Sequence, residues 1–265
     1  MPAATADRDW IRALQALAER PPAAPRIPLR LEAAQAEVGS IEPALARRLA
    51  DAGLPVRVDA QACAVIGAAD ASLEALAHWL AGQGLGGRWR GERLAVTDAS
   101  GRVHAAIERA AVRPLGIATH AVHLVGLDDD DRHWLQQRAW DKAVDPGRWD
   151  TLVGGLVAHG ESALASLERE TWEEAGLRLA ELQALTGLGR VLVRRPIDDG
   201  YMVEHMDLFR ARLPGAMQPS NQDGEVQAFE CLPAPALRER LRAGVFTLEA
   251  ALALLVALGE IDAQR

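Results

Sequence analysis

Apolar positions recur at helical spacing near the start of the chain. Trp10, Leu14 and Leu17, with charged residues between them, predict a helix over residues 1–20. The run Arg20-Pro21-Pro22-Ala23-Ala24-Pro25 breaks it and serves as a connector. Leu29 and Leu31 then alternate with Arg30 and Glu32, the period of a half-buried strand. A helix is expected over 43–52, closed by Gly53, and a short strand over 56–58. Leu73, Leu76 and Leu80 share one face of a helix over 71–81 that Gly82 ends, and a turn at Trp89 leads into a strand reaching Val96. Residues 1–113 read as a small α+β domain.

A second unit, residues 114–265, has a different texture. Residues 117–127 form an apolar, β-branched strand, stopped by Asp128-Asp129-Asp130-Asp131, which reads as a solvated turn. A returning strand spans 132–138, and Asp145-Pro146-Gly147 turns the chain. Thr151-Leu152-Val153 reads as a short strand ended by Gly154-Gly155. The strongest helical pattern lies over 162–175, with Gly176 placed to terminate it. A hairpin follows, with strands over 191–194 and 202–210 around the turn Ile197-Asp198-Asp199-Gly200, and an apolar helix spans 248–258.

Composition narrows the class. The chain has 265 residues, 49% apolar and 25% charged, a soluble globular balance that excludes a disordered chain or a collagen-like fibre. No run approaches the length of a membrane span, and Met1-Pro2-Ala3-Ala4 does not open a secretory signal. Cys63 and Cys231 are too few for a disulfide framework or a thiolate metal site, and suit small hydrophobes in a reducing compartment. A cytoplasmic protein is expected. Up to Arg113 there are 14 basic and 13 acidic residues; from Leu115 onward there are 15 and 24. The acidic second half argues against nucleic acid as partner and for carboxylates that meet bound cations. Of the 29 basic residues only Lys142 is lysine, which singles it out as a place where an ammonium is needed.

The stretch from Gly155 to Leu177 carries the chemistry. It places Glu161 ahead of Arg169-Glu170-Thr171-Trp172-Glu173-Glu174-Ala175-Gly176. On a helix Glu173 and Glu174 lie about 60° to one side and about 40° to the other of Glu170, so three carboxylates share one stripe. Leu164, Leu167 and Thr171 make the opposite, packed face. Like charges at that spacing repel, and a hard divalent cation bound through oxygens is the natural compensation. Gly154-Gly155 lets backbone approach the cluster so that a main-chain carbonyl can join the ligands, and Arg169 can hold one carboxylate. Glu-x-x-Glu-Glu alone would fit a solvated acidic face; the full pattern does not.

These residues resemble the signature of the Nudix hydrolases, with Thr171 standing where that family prefers an aliphatic residue. The resemblance implies an α/β/α sandwich around a mixed sheet, hence an α+β chain in which this fold follows the smaller domain. It also implies Mg²⁺- or Mn²⁺-dependent cleavage of a small-molecule diphosphate. Carried over by position, Glu170, Glu174 and the Gly155 carbonyl would be metal ligands, Glu173 a further ligand or base, and Glu161 and Arg169 supporting groups.

Upstream, Arg138-x-x-x-Lys142 followed by Pro146-Gly147-x-Trp149 is similar to the diphosphate approach of isopentenyl diphosphate isomerases and a related Nudix branch. Arg138 and Lys142 would then grip the phosphates. The isomerase reaction itself is unexpected, because Gly154 stands where that enzyme carries its catalytic cysteine. Downstream, Pro219 to Val226 resembles a loop of the same branch that would bring Glu225 near the metals. Residues 28–113, with Trp89-Arg90-Gly91-Glu92 and Ile107-Glu108-Arg109-Ala110, resemble the domain ahead of Nudix modules associated with thiamine pyrophosphokinase. That points to thiamine diphosphate or its oxidised derivatives as substrate, with Trp140 and Trp149 as ring-stacking walls. Nucleoside diphosphate derivatives such as ADP-ribose or nucleotide sugars are the alternative substrates, and a ligand-sensing regulator the alternative without catalysis. A homodimer stays open. His120 and His123 alternate on a strand and read as packing or substrate-lining groups, and the glycines at 82–87 follow a helix, so they make a loop and not a dinucleotide fingerprint.

Overall fold

The computed structural model describes residues 2–264, with side chains from residue 9 onward. Helix α1 (Pro2–Ala18) ends ahead of the proline-rich connector. Its apolar residues Trp10, Ile11 and Leu14 pack on the sheet and C-terminal helix of the second unit. The first helix therefore does not join the small domain it precedes. An apolar stripe settles on whatever apolar surface the connector lets it reach.

The first unit comprises β1 (Ile27–Leu31), β2 (Ala36–Ile41), α2 (Pro43–Asp51), β3 (Val56–Val58), β4 (Cys63–Val65) and α3 (Ala69–Gly82), followed by β5 (Arg93–Thr97) and β6 (Val103–Glu108). Four strands form a sheet in the order β2-β1-β4-β3, and β5 and β6 make a separate ladder. Leu29, Ile41, Leu49, Leu73 and Leu76 fill its core, which extends to Leu115 and Ile117. Strands β2, β4 and β6 went unread in the sequence because they are short and carry glycine, serine or alanine where the alternation should show.

The second unit contains β7 (Thr119–Leu127), β8 (His133–Arg138), β9 (Trp149–Asp150), β10 (Val153–Leu156), α4 (Ala163–Ala175), β11 (Gln183–Ile197), β12 (Gly200–Arg212), β13 (Val226–Leu232), α5 (Ala234–Arg242) and α6 (Leu248–Ala257). Its sheet runs β11-β12-β7-β8-β13, with β10 paired to β7 and β9 to β8. The β12–β7 pairing is parallel and the others antiparallel, so the sheet is mixed. Alternation along β7 decides the layers. Val122 and Leu124 pack with Leu167 of α4, whereas Ala121 and Val125 pack on the other face with α6 and α1. This is the α/β/α sandwich expected. One boundary is corrected: β10 continues through Gly154 and Gly155, because both pair with β7 at His123 and Val122.

Helix α4 has the ends its sequence announces. Ser162 Oγ accepts from the Ala165 amide at 3.1 Å, and Gly176 takes the left-handed conformation at φ 65°. The loop after β12 folds back here: Ser220 N donates to Ala175 O (2.7 Å) and Gln222 N to Glu173 O (3.0 Å). A Cβ at Gly176 would lie 2.6 Å from the Ser220 carbonyl. Gly176→Ala should therefore cost about 1–2 kcal/mol in a urea melt; an unchanged midpoint would contradict this account of the helix end. Among the described residues no helix is long and apolar enough to cross a membrane.

Candidate active site

Strand β10 and helix α4 face each other across backbone alone. A Cβ on Gly155 would overlap the side chain of Glu170, and one on Gly154 would lie 2.9 Å from the His123 ring. Gly154 thus has no room for the thiol of an isomerase. Glycine here lets two acidic side chains reach the strand. Glu174 is buried, and its Oε2 accepts from the Gly154 amide (2.9 Å) and from Gln136 Nε2 (2.8 Å). Burial, with the charge of Glu170 beside it, pushes the Glu174 carboxyl up to about 8. Burial also raises Glu170, against the opposing effect of Arg169.

Arg169 organises the remaining carboxylates. It donates from Nε to Glu161 Oε1 (3.1 Å), and from Nη1 to Glu170 Oε1 (2.7 Å) and Glu173 Oε2 (3.0 Å). Burial works against its charge, but Glu161 and Glu170 hold it above its ordinary value. Its hydrogen bond keeps Glu161 below the usual carboxylate range. Glu161, Glu170 and Glu173 therefore meet on one guanidinium, and Glu174 lies inward of them. The opposite face is less uniform than its spacing suggested: Leu167 and Thr171 are fully buried, while Leu164 is exposed. Thr171 keeps its hydroxyl satisfied by donating to the Leu167 carbonyl at 2.6 Å.

Among the described residues, no three His, Cys, Asp or Glu side chains are gathered into a ready metal cage. Mg²⁺ does not need one, since it is usually held by one or two carboxylates and completes its shell with waters and phosphate. Glu170 and Glu174 fit that requirement. They are oxygen donors one helical turn apart, Glu174 buried and Glu170 nearly so, and burial raises both carboxyls.

The phosphate-gripping candidates are each partnered. Lys142 pairs with Glu225, which brings both to this site, and burial lowers the lysine against the pull of Glu174. Arg138 donates to the Val144 carbonyl (3.1 Å) and lies 3.5 Å from Asp150. The aromatic walls are corrected. Trp149 packs on the core beneath α6, with Arg240 4.9 Å over its ring, so it is structural. Trp140 is 67% exposed and lies over Gly147. Neither lines the cleft described next.

A cleft of about 620 Å³ opens between the two units and reaches Gly154 and Gly155 at one end. The first unit supplies Arg88, Arg90, Arg109 and Arg113 to it, and the second supplies His123, Asp150, Arg195, Glu204 and Glu249. The units are stitched together nearby: His159 N donates to Arg93 O (2.8 Å) and Tyr201 N to Arg113 O (3.0 Å). Sequence reasoning missed most of these residues, although a signal existed for two. Glu204 shares the strand face of buried Met202 and Met206, and Arg195 that of buried Val193; a charge at such a position is out of place unless it lines a cavity.

Residues 118–251 match the family model described as NUDIX domain, about half of the chain. "Nudix hydrolase 24, chloroplastic" of Arabidopsis thaliana is 34% identical over 142 residues, covering 48% of this chain and 36% of that protein. "Nudix hydrolase 20, chloroplastic" of the same plant is 35% identical over 133 residues, covering 48% of this chain and 35% of that protein. The chain thus spans about a third of the length of these curated relatives. A crystal structure of a protein from Deinococcus radiodurans has the same fold, with a TM-score of 0.51 at 23% identity, covering 63% of this chain and 98% of that one.

Proposed function

The chain belongs to the NUDIX family, and we propose that it hydrolyses the diphosphate bond of a small organic diphosphate with the help of Mg²⁺ or Mn²⁺. The observation that carries this reading is the pair Glu170 and Glu174: Glu174 is buried and bonded to the Gly154 amide, and Glu170 lies against Gly155, where only glycine leaves it room. When bound, the cation neutralises phosphate charge and makes water a better nucleophile at neutral pH. Glu170, Glu174 and the Gly155 carbonyl would hold it. Arg169 keeps Glu161, Glu170 and Glu173 in one array, so the carboxylates that would hold the cation are positioned in advance. Glu173, with only Oε2 engaged by Arg169, or Glu225, opposite Lys142, would accept the proton of the attacking water. Arg138 and Lys142 would bind phosphate oxygens.

For the substrate we favour thiamine diphosphate or its oxidised derivatives, cleaved to the monophosphate and phosphate. The support is the resemblance of residues 28–113 to the thiamine-associated domain, together with the place of its Arg90 and Arg109 on the cleft. Nucleoside diphosphate derivatives are the competing class. The test is a panel of thiamine diphosphate, its oxidised derivatives, ADP-ribose and a nucleotide sugar, assayed for product with Mg²⁺ and with chelator. A thiamine compound should be cleaved at least as efficiently as any nucleotide. A kcat/KM more than about tenfold higher for ADP-ribose or a nucleotide sugar, roughly 1.4 kcal/mol of transition-state preference, would overturn the thiamine reading. Absence of Mg²⁺-dependent cleavage across the panel would overturn hydrolysis as well.

A further inference from the structure

Strand β8 turns Trp134 and Gln136 toward α4. Trp134 packs into the apolar layer there, and so does Phe229, the partner of Gln136 across the β8–β13 ladder. Gln136 lies beside them at 1% exposure. A buried amide must satisfy both of its ends or lose stability. Gln136 satisfies one. Its Nε2 donates to Glu174 Oε2 at 2.8 Å, whereas among the described residues no donor reaches its Oε1, which is closed off from solvent. An apolar side chain of similar size would avoid that unpaired acceptor, so packing alone does not account for a glutamine here.

Glu174 shows what the amide does. Its Oε2 takes both donors, the Gly154 amide at 2.9 Å and Gln136 Nε2. Two donors on one oxygen restrict rotation of the carboxylate about its last bond. Among the described residues its other oxygen, Oε1, makes no hydrogen bond. The amide's orientation follows from charge: an amide oxygen 2.8 Å from an ionised carboxylate oxygen would repel it, so Nε2 faces Glu174. We propose that Gln136 is a positioning residue of the metal site: its N–H holds Glu174 Oε2 so that Oε1 is presented to a divalent cation, while its own oxygen is left unpaired. The proposal rests on the reading of Glu174 as a metal ligand. A partner that orients a metal-binding side chain in this way typically carries about tenfold to 100-fold of the metal affinity.

Removing the donor while keeping the bulk separates this role from a structural one. Gln136→Met and Gln136→Leu each delete the N–H and the unpaired oxygen together, and their different shapes keep a packing fault in one from being shared by the other. Two opposing effects act on stability: one hydrogen bond to Glu174 is lost, and a buried unpaired acceptor is removed. With chelator present, at least one variant should melt no more than about 4 °C below the wild type. Mn²⁺ binding to that full-length variant is then followed by the electron paramagnetic resonance signal of the free ion. Its dissociation constant should be at least about tenfold above that of the wild type. A smaller rise would overturn the proposal. So would a fall of more than about 4 °C in both variants, since Gln136 would then be holding the core and not the ligand. A wild-type chain that binds no Mn²⁺ in the millimolar range would remove the metal reading itself, and the proposal with it. Failure of the hydrolase reading alone looks different: Mn²⁺ binding depends on Gln136, but no diphosphate is cleaved.

Discussion

Glu174→Gln is expected to leave a folded protein whose Mg²⁺-dependent turnover is lower by at least about 100-fold, roughly 2.7 kcal/mol of barrier. The amide preserves the shape and can still accept from the Gly154 amide and Gln136, so packing around the buried position is kept. What it loses is the charge that a divalent cation would bind. The same substitution has a stability signature of defined sign. The Glu174 carboxyl is raised to about 8 in the fold, so its contribution to stability is full below the ordinary carboxylate range and is lost as pH rises through about 8. In chelator, the melting temperature of the wild type should fall over that window and that of the variant should fall less. Adding Mg²⁺ should restore the wild type at the alkaline end, since the cation favours the ionised carboxylate. Full turnover in the variant, or identical pH profiles of melting in chelator, would remove Glu174 from the site.

Gly155→Ala is the second large effect. The added methyl would overlap the Glu170 carboxyl, so the side chain must leave the strand. Backbone conformation is not the obstacle, because Gly155 sits in a regular pairing with Val122. The fold should survive with a small change in melting temperature. Turnover should drop about 100-fold, the scale of loss when a reacting group is misplaced by about 1 Å. A crystal structure of the variant with Glu170 displaced would confirm the cause, and wild-type kinetics would refute it.

The local chemistry of the second unit was legible from residues alone. Ser162 and Gly176 bound α4, the Glu170-x-x-Glu173-Glu174 spacing sets a carboxylate stripe, and Gly154-Gly155 admits close approach. Each depends on contacts within one turn or one strand, where sequence spacing is also spatial spacing. The same rule explains what stayed hidden at Arg138 and Lys142. Their spacing was visible, but the partners that engage them, Asp150 and Glu225, come from elsewhere in the chain.

Trp149 could not be sorted from Trp140 by sequence, since an aromatic residue beside a candidate site looks alike whether it faces solvent or core. Only the docking of α6 and Arg240 placed the first inside. Helix α1 was likewise readable as amphipathic, yet its partner lies at the far end of the chain. The cleft is the fullest case. Arg109 and Arg113 precede the second unit, Glu204 sits in its β11–β12 hairpin and Glu249 in its last helix, and no local period links them. Sequence determines which faces are apolar and which short motifs can hold charge; the pairing of distant faces, which creates a cavity and decides which charges share it, is set by tertiary burial of those faces against one another.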